Sequence, residues 1–203
     1  MNEQLSELFS KYYHKPPNSI GFVAEYVERT EQLLAFCIKH NIKSIYDAGC
    51  GELNWMDPRR LISNNIAYSG GDISVHSVEY CHGHFLGIDI KHHDMTTDPF
   101  PEVDLIFSSD VVIHLSDDDR RKFLNNFVRS GSKYVMITDD RGVKENISID
   151  YSVPFPWQPI NWAIDPWNLP PEIDLMPDLV PQGDIPSRRM SMWSREQIEK
   201  RLR

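Results

Sequence analysis

Residues 44–56 read Ser-Ile-Tyr-Asp-Ala-Gly-Cys-Gly-Glu-Leu-Asn-Trp-Met, a short β-branched and aromatic run that breaks into Asp47-x-Gly49-x-Gly51. This pattern predicts a strand that enters a nucleotide-type loop. Two glycines at this spacing let the backbone turn sharply and approach a ligand closely, and the helix that follows directs its free N–H groups at the same space. A dinucleotide-binding loop would carry a third glycine where Asn54 stands, and it seldom carries an acid where Asp47 stands. The loop therefore favours a nucleotide-type ligand other than a nicotinamide cofactor.

Further strand signals follow the loop at intervals suited to alternating strands and helices. They lie at residues 66–72, 88–93, 103–108 and 133–138. The first of them ends at Asp72, about 20 to 25 residues past the glycines, where folds of this kind place a carboxylate on ribose hydroxyls. Because the connections between these strands are long enough for helices, we expect a parallel, doubly wound sheet with right-handed crossovers.

Helix signals flank the predicted strands. Apolar residues recur with helical spacing over 21–40 before the first strand. Ser116 is a suitable N-cap for a helix with three aspartates in its first turn, and Gly131 ends that helix. A last strand is predicted at 188–193, and Ser194-Arg-Glu-Gln forms a capping box that begins a terminal helix.

These landmarks carry a family resemblance. The Asp-x-Gly-x-Gly loop resembles motif I of the class I S-adenosylmethionine-dependent methyltransferases, and the stretch 109–116 resembles motif IV of that family. Over about residues 20–193 the chain is similar to a subgroup of small bacterial and phage methyltransferases of mostly unassigned acceptor. Two positions depart from that subgroup: Glu52 replaces an aspartate in the loop, and Asp139-Asp140 replaces threonines at the end of the fifth strand.

The resemblance implies S-adenosyl-L-methionine as the cofactor and assigns its contacts. Gly49 and Gly51 bring the backbone close to its amino acid and ribose portions, and Asp47 orders the loop or meets the ammonium group. Asp72 holds the ribose, while Asp94 and Met95 frame the adenine. The predicted cofactor-binding set is completed by Asn54, Trp55 and Ser109.

Methyl transfer from a sulfonium proceeds by in-line displacement, so positioning supplies much of the acceleration. An acceptor hydroxyl also benefits from a base. The candidate catalytic residues near the strand ends are His114, Asp110, Asp139 and Asp140. His114 titrates in the useful range, although it could instead pack or cap near the start of its helix. No metal is predicted, because the histidines lack the spacing of a closed site.

The segment 151–186 holds nine of the 14 prolines and three of the five tryptophans. Such a segment cannot hold a regular helix, and its aromatic content argues against disorder. We expect an ordered cover over the carboxyl ends of the strands, in which Trp157 and Trp162 bind the acceptor. Alternatively, these tryptophans pack against the edge of the sheet.

Length and charge limit the remaining possibilities. With 203 residues and a net charge of −9, we expect a single domain and no nucleic-acid partner. Its predicted parts are a helical lead (1–43), a cofactor-binding β/α core (44–140), the acceptor cover (141–187) and a last strand with a terminal helix (188–203). Three cysteines without paired spacing and no apolar run of spanning length favour a cytoplasmic protein without a membrane partner.

The sequence thus predicts a Rossmann-like α/β methyltransferase with a late antiparallel edge strand. Its acceptor is predicted to be an oxygen of a small molecule or glycan. Two alternatives remain open, namely a cofactor-binding or partner-binding module with a degenerate acceptor site, and an NAD-dependent oxidoreductase. Neither the acceptor itself nor the oligomeric state follows from the sequence.

Overall fold

The computed structural model describes residues 21–53, 56–149, 151–152, 156–171, 173–177 and 188–203. The helices are α1 (Gly21–Lys39), α2 (Pro58–Ile62), α3 (Val75–His84), α4 (Asp117–Ser130) and α5 (Arg195–Leu202). The strands are β1 (Ser44–Ala48), β2 (Ala67–Asp72), β3 (Asp89–His92), β4 (Leu105–Ser108), β5 (Tyr134–Asp140), β6 (Ile173–Pro177) and β7 (Arg188–Ser194). A short 3₁₀ helix, Val112–His114, follows β4.

The strands form one seven-stranded sheet in the order β3-β2-β1-β4-β5-β7-β6. The first five strands of this order pair in parallel, whereas β7 is antiparallel to both β5 and β6. The predicted doubly wound, mostly parallel sheet with a late antiparallel strand is therefore confirmed. One strand was not predicted: β6, from within the segment expected to be irregular, pairs with the outer side of β7 and forms the edge.

Both faces of the sheet are covered by helices, because each central strand alternates its apolar side chains. In β4, Leu105 packs with the cluster formed by α1, α2 and α3, whereas Ile106 packs with the cluster formed by α4 and α5. In β5, Met136 packs with the first of these clusters and Val135 packs with the second. No helix of the described residues is long and apolar enough to cross a bilayer.

The predicted ends of α4 are confirmed. The Ser116 side chain accepts a hydrogen bond from the N–H of Asp119 at 3.3 Å, and Gly131 adopts the left-handed conformation at φ +80°. At α5, Ser194 accepts from the N–H of Gln197 at 3.3 Å. The Gln197 side chain does not complete the predicted capping box, since its Oε1 accepts no hydrogen bond among the described residues. Its amide Nε2 donates to Pro170 O at 2.6 Å and so supports the proline-rich segment.

Strand β5 ends two residues later than the pattern of apolar residues indicated. Asp139 and Asp140, expected at the exit of the strand, lie within it because they pair with Arg189 and Arg188 of β7. These two aspartates therefore belong to the hydrogen-bonded strand ladder and not to the loop in which they were expected. The carboxyl ends of β1 to β5 share one edge of the sheet, and the reversal of strand order between β1 and β4 opens a crevice there.

Candidate active site

The glycine loop after β1 is held against the end of β2. The N–H groups of Gly49 and Cys50 donate to Gly71 O at 2.8 and 3.2 Å. Gly49 has φ +83°, and a Cβ built on it would lie 2.5 Å from Cγ2 of Val111. Glycine is therefore required here both for the backbone conformation and for the approach of the chain that follows β4.

Asp72 at the end of β2 is bound to this loop. Its Oδ2 accepts from Gly51 N–H at 2.8 Å, and its Oδ1 accepts from Ser74 N–H at 2.8 Å. Burial raises the pKa of the Asp72 carboxyl, and the two backbone N–H groups oppose that rise. Since each carboxylate oxygen has a second lone pair, the group can also accept hydrogen bonds from ligand hydroxyls.

A cavity of about 510 Å³, partly open to solvent, lies over the ends of β1 to β4. It brings together many of the residues predicted from the sequence: Gly49, Asp72, Asp94, Met95, Asp110 and His114. It adds others that were not predicted, namely Ile73, His93, Thr96, Val111 and Leu115. Each of these adjoins a predicted residue in the chain or lies within two positions of one, and that adjacency is the signal by which they could have been found.

Three other predicted cofactor residues that the structure describes do not line this cavity. Asp47 is buried beneath the loop, where its Oδ2 accepts from the Tyr68 hydroxyl at 2.7 Å. Gly51 contributes its N–H to Asp72. Ser109 is half-buried beyond the end of β4. Residues 54 and 55, the predicted Asn54 and Trp55 contacts, lie outside the described residues.

Asp47 has an unusual environment for a carboxylate. It is 1% exposed, and its Oδ1 has no hydrogen-bond partner among the described residues. Burial raises its pKa to about 7, although the hydrogen bond from Tyr68 acts in the opposite direction. The side-chain contact of Asp47 is with Tyr68 of β2, and its predicted role, ordering the loop or meeting the ammonium group, stays a prediction.

Asp94 forms a tight turn after β3. Its Oδ1 accepts from both the N–H and the hydroxyl of Thr96, at 2.9 and 2.6 Å. Its N–H is bound by Asp98 Oδ2 at 2.9 Å. The turn holds Asp94 and Met95 on the cavity wall in a defined orientation.

His114 ends the 3₁₀ helix and lines the same cavity. Its Nδ1 lies 2.9 Å from Pro156 O. Because a carbonyl oxygen can only accept, Nδ1 carries the proton, and Nε2 of a neutral ring is the acceptor nitrogen. Burial lowers the pKa of His114, and the positive charge of Arg120 lowers it further, against the effect of Pro156 O. The imidazole is therefore neutral at pH 7 and suited to accept a proton.

Asp110 is held in place from two sides. Its φ is +60°, its N–H donates to Thr138 Oγ1 at 2.7 Å, and its carboxylate pairs with Arg188 of β7. Thr138 Oγ1 also lies 3.2 Å from Asp110 Oδ1. A carboxylate engaged in an ion pair is a weak base, so the geometry favours a positioning role for Asp110.

The prediction that Asp139 is a catalytic base is contradicted by its position. Asp139 is fully buried and accepts from Arg141 Nε at 2.6 Å, Ser191 Oγ at 2.9 Å and Trp162 N–H at 3.1 Å. These three donors fix the carboxylate inside the sheet and away from both cavities described in this section. Asp140 is nearer to the site, although its Oδ1 accepts from Gly142 N–H at 3.0 Å.

A second cavity of about 210 Å³ lies over the end of β5 and the start of β7. It is lined by Ile113, Thr138, Asp140, Trp157, Pro159, Ile160 and Arg188. The predicted acceptor residue Trp157 is on its wall and is 46% exposed. The 3₁₀ helix lies between the cavities, since it presents Ile113 to the second and His114 to the first.

Trp162, also predicted to bind the acceptor, occupies the core instead. It is fully buried against Trp167 and Trp193, and its Nε1 donates to Thr138 O at 2.9 Å. No face of its ring is left for an acceptor.

For metals, the described part of the chain contains no group of three or more His, Cys, Asp or Glu side chains placed to hold an ion.

Comparison with known proteins agrees with this geometry. Residues 45–131 match the family model of a methyltransferase domain, a range that includes every strand end around the first cavity. No curated protein matches the chain significantly.

Several solved structures share the fold. The methyltransferase SibL in its apo form is similar with a TM-score of 0.58 and 15% identity, over 86% of this chain and 56% of that one. Human N-acetylserotonin methyltransferase in complex with SAM is similar with a TM-score of 0.56 and 15% identity, over 81% of this chain and 50% of that one. Magnesium protoporphyrin IX methyltransferase from Synechocystis PCC 6803 with bound SAM has a TM-score of 0.51 and 14% identity, over 75% of this chain and 82% of that one. This chain therefore spans about half the length of the first two proteins.

Proposed function

We propose that this S-adenosylmethionine-dependent methyltransferase transfers its methyl group to an oxygen of a small molecule or glycan, with His114 as the general base. The observation that carries the proposal is the position of His114. It lies on the wall of the first cavity, on a turn that also borders the second cavity. A base is needed where the two substrates meet, and a hydroxyl is the acceptor that gains most from one.

The polar residues that line the first cavity support placing the cofactor there. Asp72 is placed to accept from the ribose hydroxyls, because it is anchored by Gly51 and Ser74 and lies on the cavity wall. The glycine loop lets the backbone approach the rest of the ligand. A cofactor held at Asp72 would extend its amino acid portion and sulfonium over β1 and β4 toward His114.

The acceptor is assigned to the second cavity. Its wall is mainly apolar, from Ile113, Trp157, Pro159 and Ile160, with polar groups from Thr138, Asp140 and Arg188. An exposed indole face beside a few polar groups suits a sugar or an aromatic ring. Two of the similar structures are named for small-molecule acceptors, N-acetylserotonin and magnesium protoporphyrin IX.

The reaction requires little from the protein besides alignment and proton removal. The acceptor oxygen attacks the methyl carbon, and the carbon–sulfur bond breaks with its electron pair on sulfur to leave S-adenosylhomocysteine. Nε2 of the neutral His114 takes the hydroxyl proton. Pro156 O holds the ring through Nδ1–H and stabilises the imidazolium that forms.

The test is the release of S-adenosylhomocysteine in the presence of hydroxyl-bearing small molecules and glycans, with amines and nucleic acids as comparison acceptors. With an active acceptor, His114→Ala should lower turnover by about 100-fold while cofactor affinity stays unchanged. His84→Ala is the matched control, since His84 is exposed at the end of α3. Wild-type turnover in His114→Ala would exclude this base, and release with nucleic acids alone would exclude the acceptor class.

A further inference from the structure

Arg120 of α4 is a buried arginine to which the proposed reaction gives no part. It is 1% exposed, and it lies at the N-terminal end of its helix, where the helix dipole disfavours a cation. Burial of a guanidinium also costs free energy, and apolar residues of similar volume are often as stable in such a place. Packing alone therefore does not account for an arginine at this position.

The Arg120 guanidinium is attached to the turn that carries His114. Its Nε donates to Val112 O at 2.9 Å. The same carbonyl accepts from Leu115 N–H at 3.2 Å, a hydrogen bond that closes the 3₁₀ turn. Arg120 thus holds the carbonyl oxygen on which the shape of this turn depends.

The proline-rich segment holds the turn from another direction. Gln158 N–H donates to Ile113 O at 2.9 Å, and the His114 ring donates to Pro156 O at 2.9 Å. The 3₁₀ helix is therefore fixed between α4 and this segment. Because the turn borders both cavities, a displacement of it would move the proposed base relative to both substrates.

Arg120 also brings a positive charge to the turn. Its Nη1 pairs with Asp117 at 2.9 Å, where Asp117 is 28% exposed. Its buried Nη2 has no hydrogen-bond partner among the described residues. Burial lowers the pKa of His114 most, and the charge of Arg120 lowers it further. The charge therefore acts on the same ring that the turn positions.

Other ionisable groups surround His114 and Arg120. They are Asp72, His93, Asp94 and Asp110 on the wall of the first cavity, and Asp117, Asp119 and Tyr151 beside the start of α4. The carboxylates among them favour a protonated imidazole, and a neighbouring cation opposes them. Arg120 is suited to this task because a guanidinium stays charged in a protein.

We propose that Arg120 is a positioning residue for methyl transfer, which fixes the 3₁₀ turn through Val112 O and places a permanent positive charge beside the proposed base. The inference rests on the role of His114 in the proposed function. The hydrogen bond sets the location of the ring, and the charge sets its protonation. Lysine keeps the charge but lacks the planar fork of arginine, so the two effects can be measured separately.

The effect of the charge is tested by NMR titration of the His114 imidazole in the enzyme without an acceptor. Arg120→Met should move the midpoint to higher pH, Arg120→Lys should leave it near the wild-type value, and Asp117→Asn should move it to lower pH, because the anion paired with Arg120 is lost. Arg121→Met is the matched control, since Arg121 is exposed on the same helix, and it should leave the midpoint in place. An unchanged midpoint in Arg120→Met, or a higher one in Asp117→Asn, would overturn the inference.

The effect of the hydrogen bond is tested by the pH dependence of turnover. Above the His114 midpoint, where the ring is neutral in every variant, Arg120→Met and Arg120→Lys should both lower kcat by at least about tenfold, with KM for the cofactor little changed. At lower pH Arg120→Met should lose more than Arg120→Lys, because more of its base is protonated. Wild-type kcat in either variant at high pH would overturn the positioning role.

The outcomes separate this inference from the proposed function. Wild-type turnover in His114→Ala would overturn the proposed base, and the inference with it. A large loss in His114→Ala combined with wild-type behaviour of the Arg120 variants would overturn the inference alone. If Arg120→Met does not fold, Arg120→Lys and Asp117→Asn keep both tests valid.

Discussion

Gly51 donates its main-chain N–H to Oδ2 of Asp72 at 2.8 Å, so the glycine loop and the acid at the end of the next strand form one unit. The hydrogen bond joins the ends of β1 and β2, which are neighbours in the sheet. A ligand that binds Asp72 is therefore placed directly over the loop. Coupling of this kind makes the cofactor affinity sensitive to either residue.

Replacing Asp72 with alanine should weaken S-adenosylmethionine by roughly 1.5 to 3 kcal/mol, because the charge-assisted hydrogen bonds to the ribose are lost. Calorimetry measures this directly. Asp89→Ala is the control, since Asp89 is exposed at the start of β3 and should leave the affinity unaltered. If Asp72→Ala bound the cofactor as tightly as wild type, the assignment of Asp72 to the ribose would be wrong.

Two glycine substitutions should have opposite effects on stability. Gly49→Ala forces a side chain onto a residue at φ +83° and against Val111, and it should cost about 1 to 3 kcal/mol of the free energy of unfolding. At Gly83 of α3 a Cβ would meet nothing within 4 Å, so Gly83→Ala should stabilise the protein by about 0.5 to 1 kcal/mol. Urea denaturation of both variants measures the difference; equal stabilities would refute the close approach of Val111 to the loop.

The contribution of Asp47 to stability should depend on pH with a defined sign. Its pKa in the folded protein is about 7, against a usual value of 3.8. Between these values the folded state binds more protons than the unfolded state, so this contribution falls as pH rises from about 4 to 7. Asp47→Asn should therefore gain stability relative to wild type over this range.

Urea denaturation at several pH values tests the effect of Asp47→Asn. The matched variant is Asp89→Asn, which changes an exposed carboxylate and should show no such trend. A constant difference between Asp47→Asn and wild type from pH 4 to 8 would mean that the Asp47 carboxyl titrates normally. Binding of the cationic cofactor should favour the ionised form of Asp47 and lower its pKa.

Trp157 and Trp162 should respond differently to replacement by alanine. Trp162 is fully buried, so its loss should destabilise the protein by about 3 to 5 kcal/mol. Trp157 is 46% exposed on the second cavity, so its loss should reduce methyl transfer while cofactor affinity and stability change little. Thermal unfolding and turnover separate the two effects, and full activity of Trp157→Ala would show that the second cavity does not hold the acceptor.

The sequence alone determined strands β1 to β5 and β7, the glycine loop, the acid at the end of β2, and the ends of α4. These features are local. Alternating apolar and polar residues indicate a strand, and a capping residue indicates the end of a helix. Glycines that allow positive φ indicate a tight turn. Six of the eleven residues that line the first cavity were singled out from the sequence for a related reason, because carboxyl ends of parallel strands meet at one edge.

Only the tertiary structure decided which polar residues remain available for chemistry. Asp139 and Asp140 are adjacent and alike in sequence, but pairing with β7 turns Asp139 toward Ser191 inside the sheet, while Asp140 reaches the second cavity. Trp162 and Trp157 divide in the same way between core and cavity. Burial and hydrogen-bond partners come from residues distant in the chain, so local patterns carry no information about them.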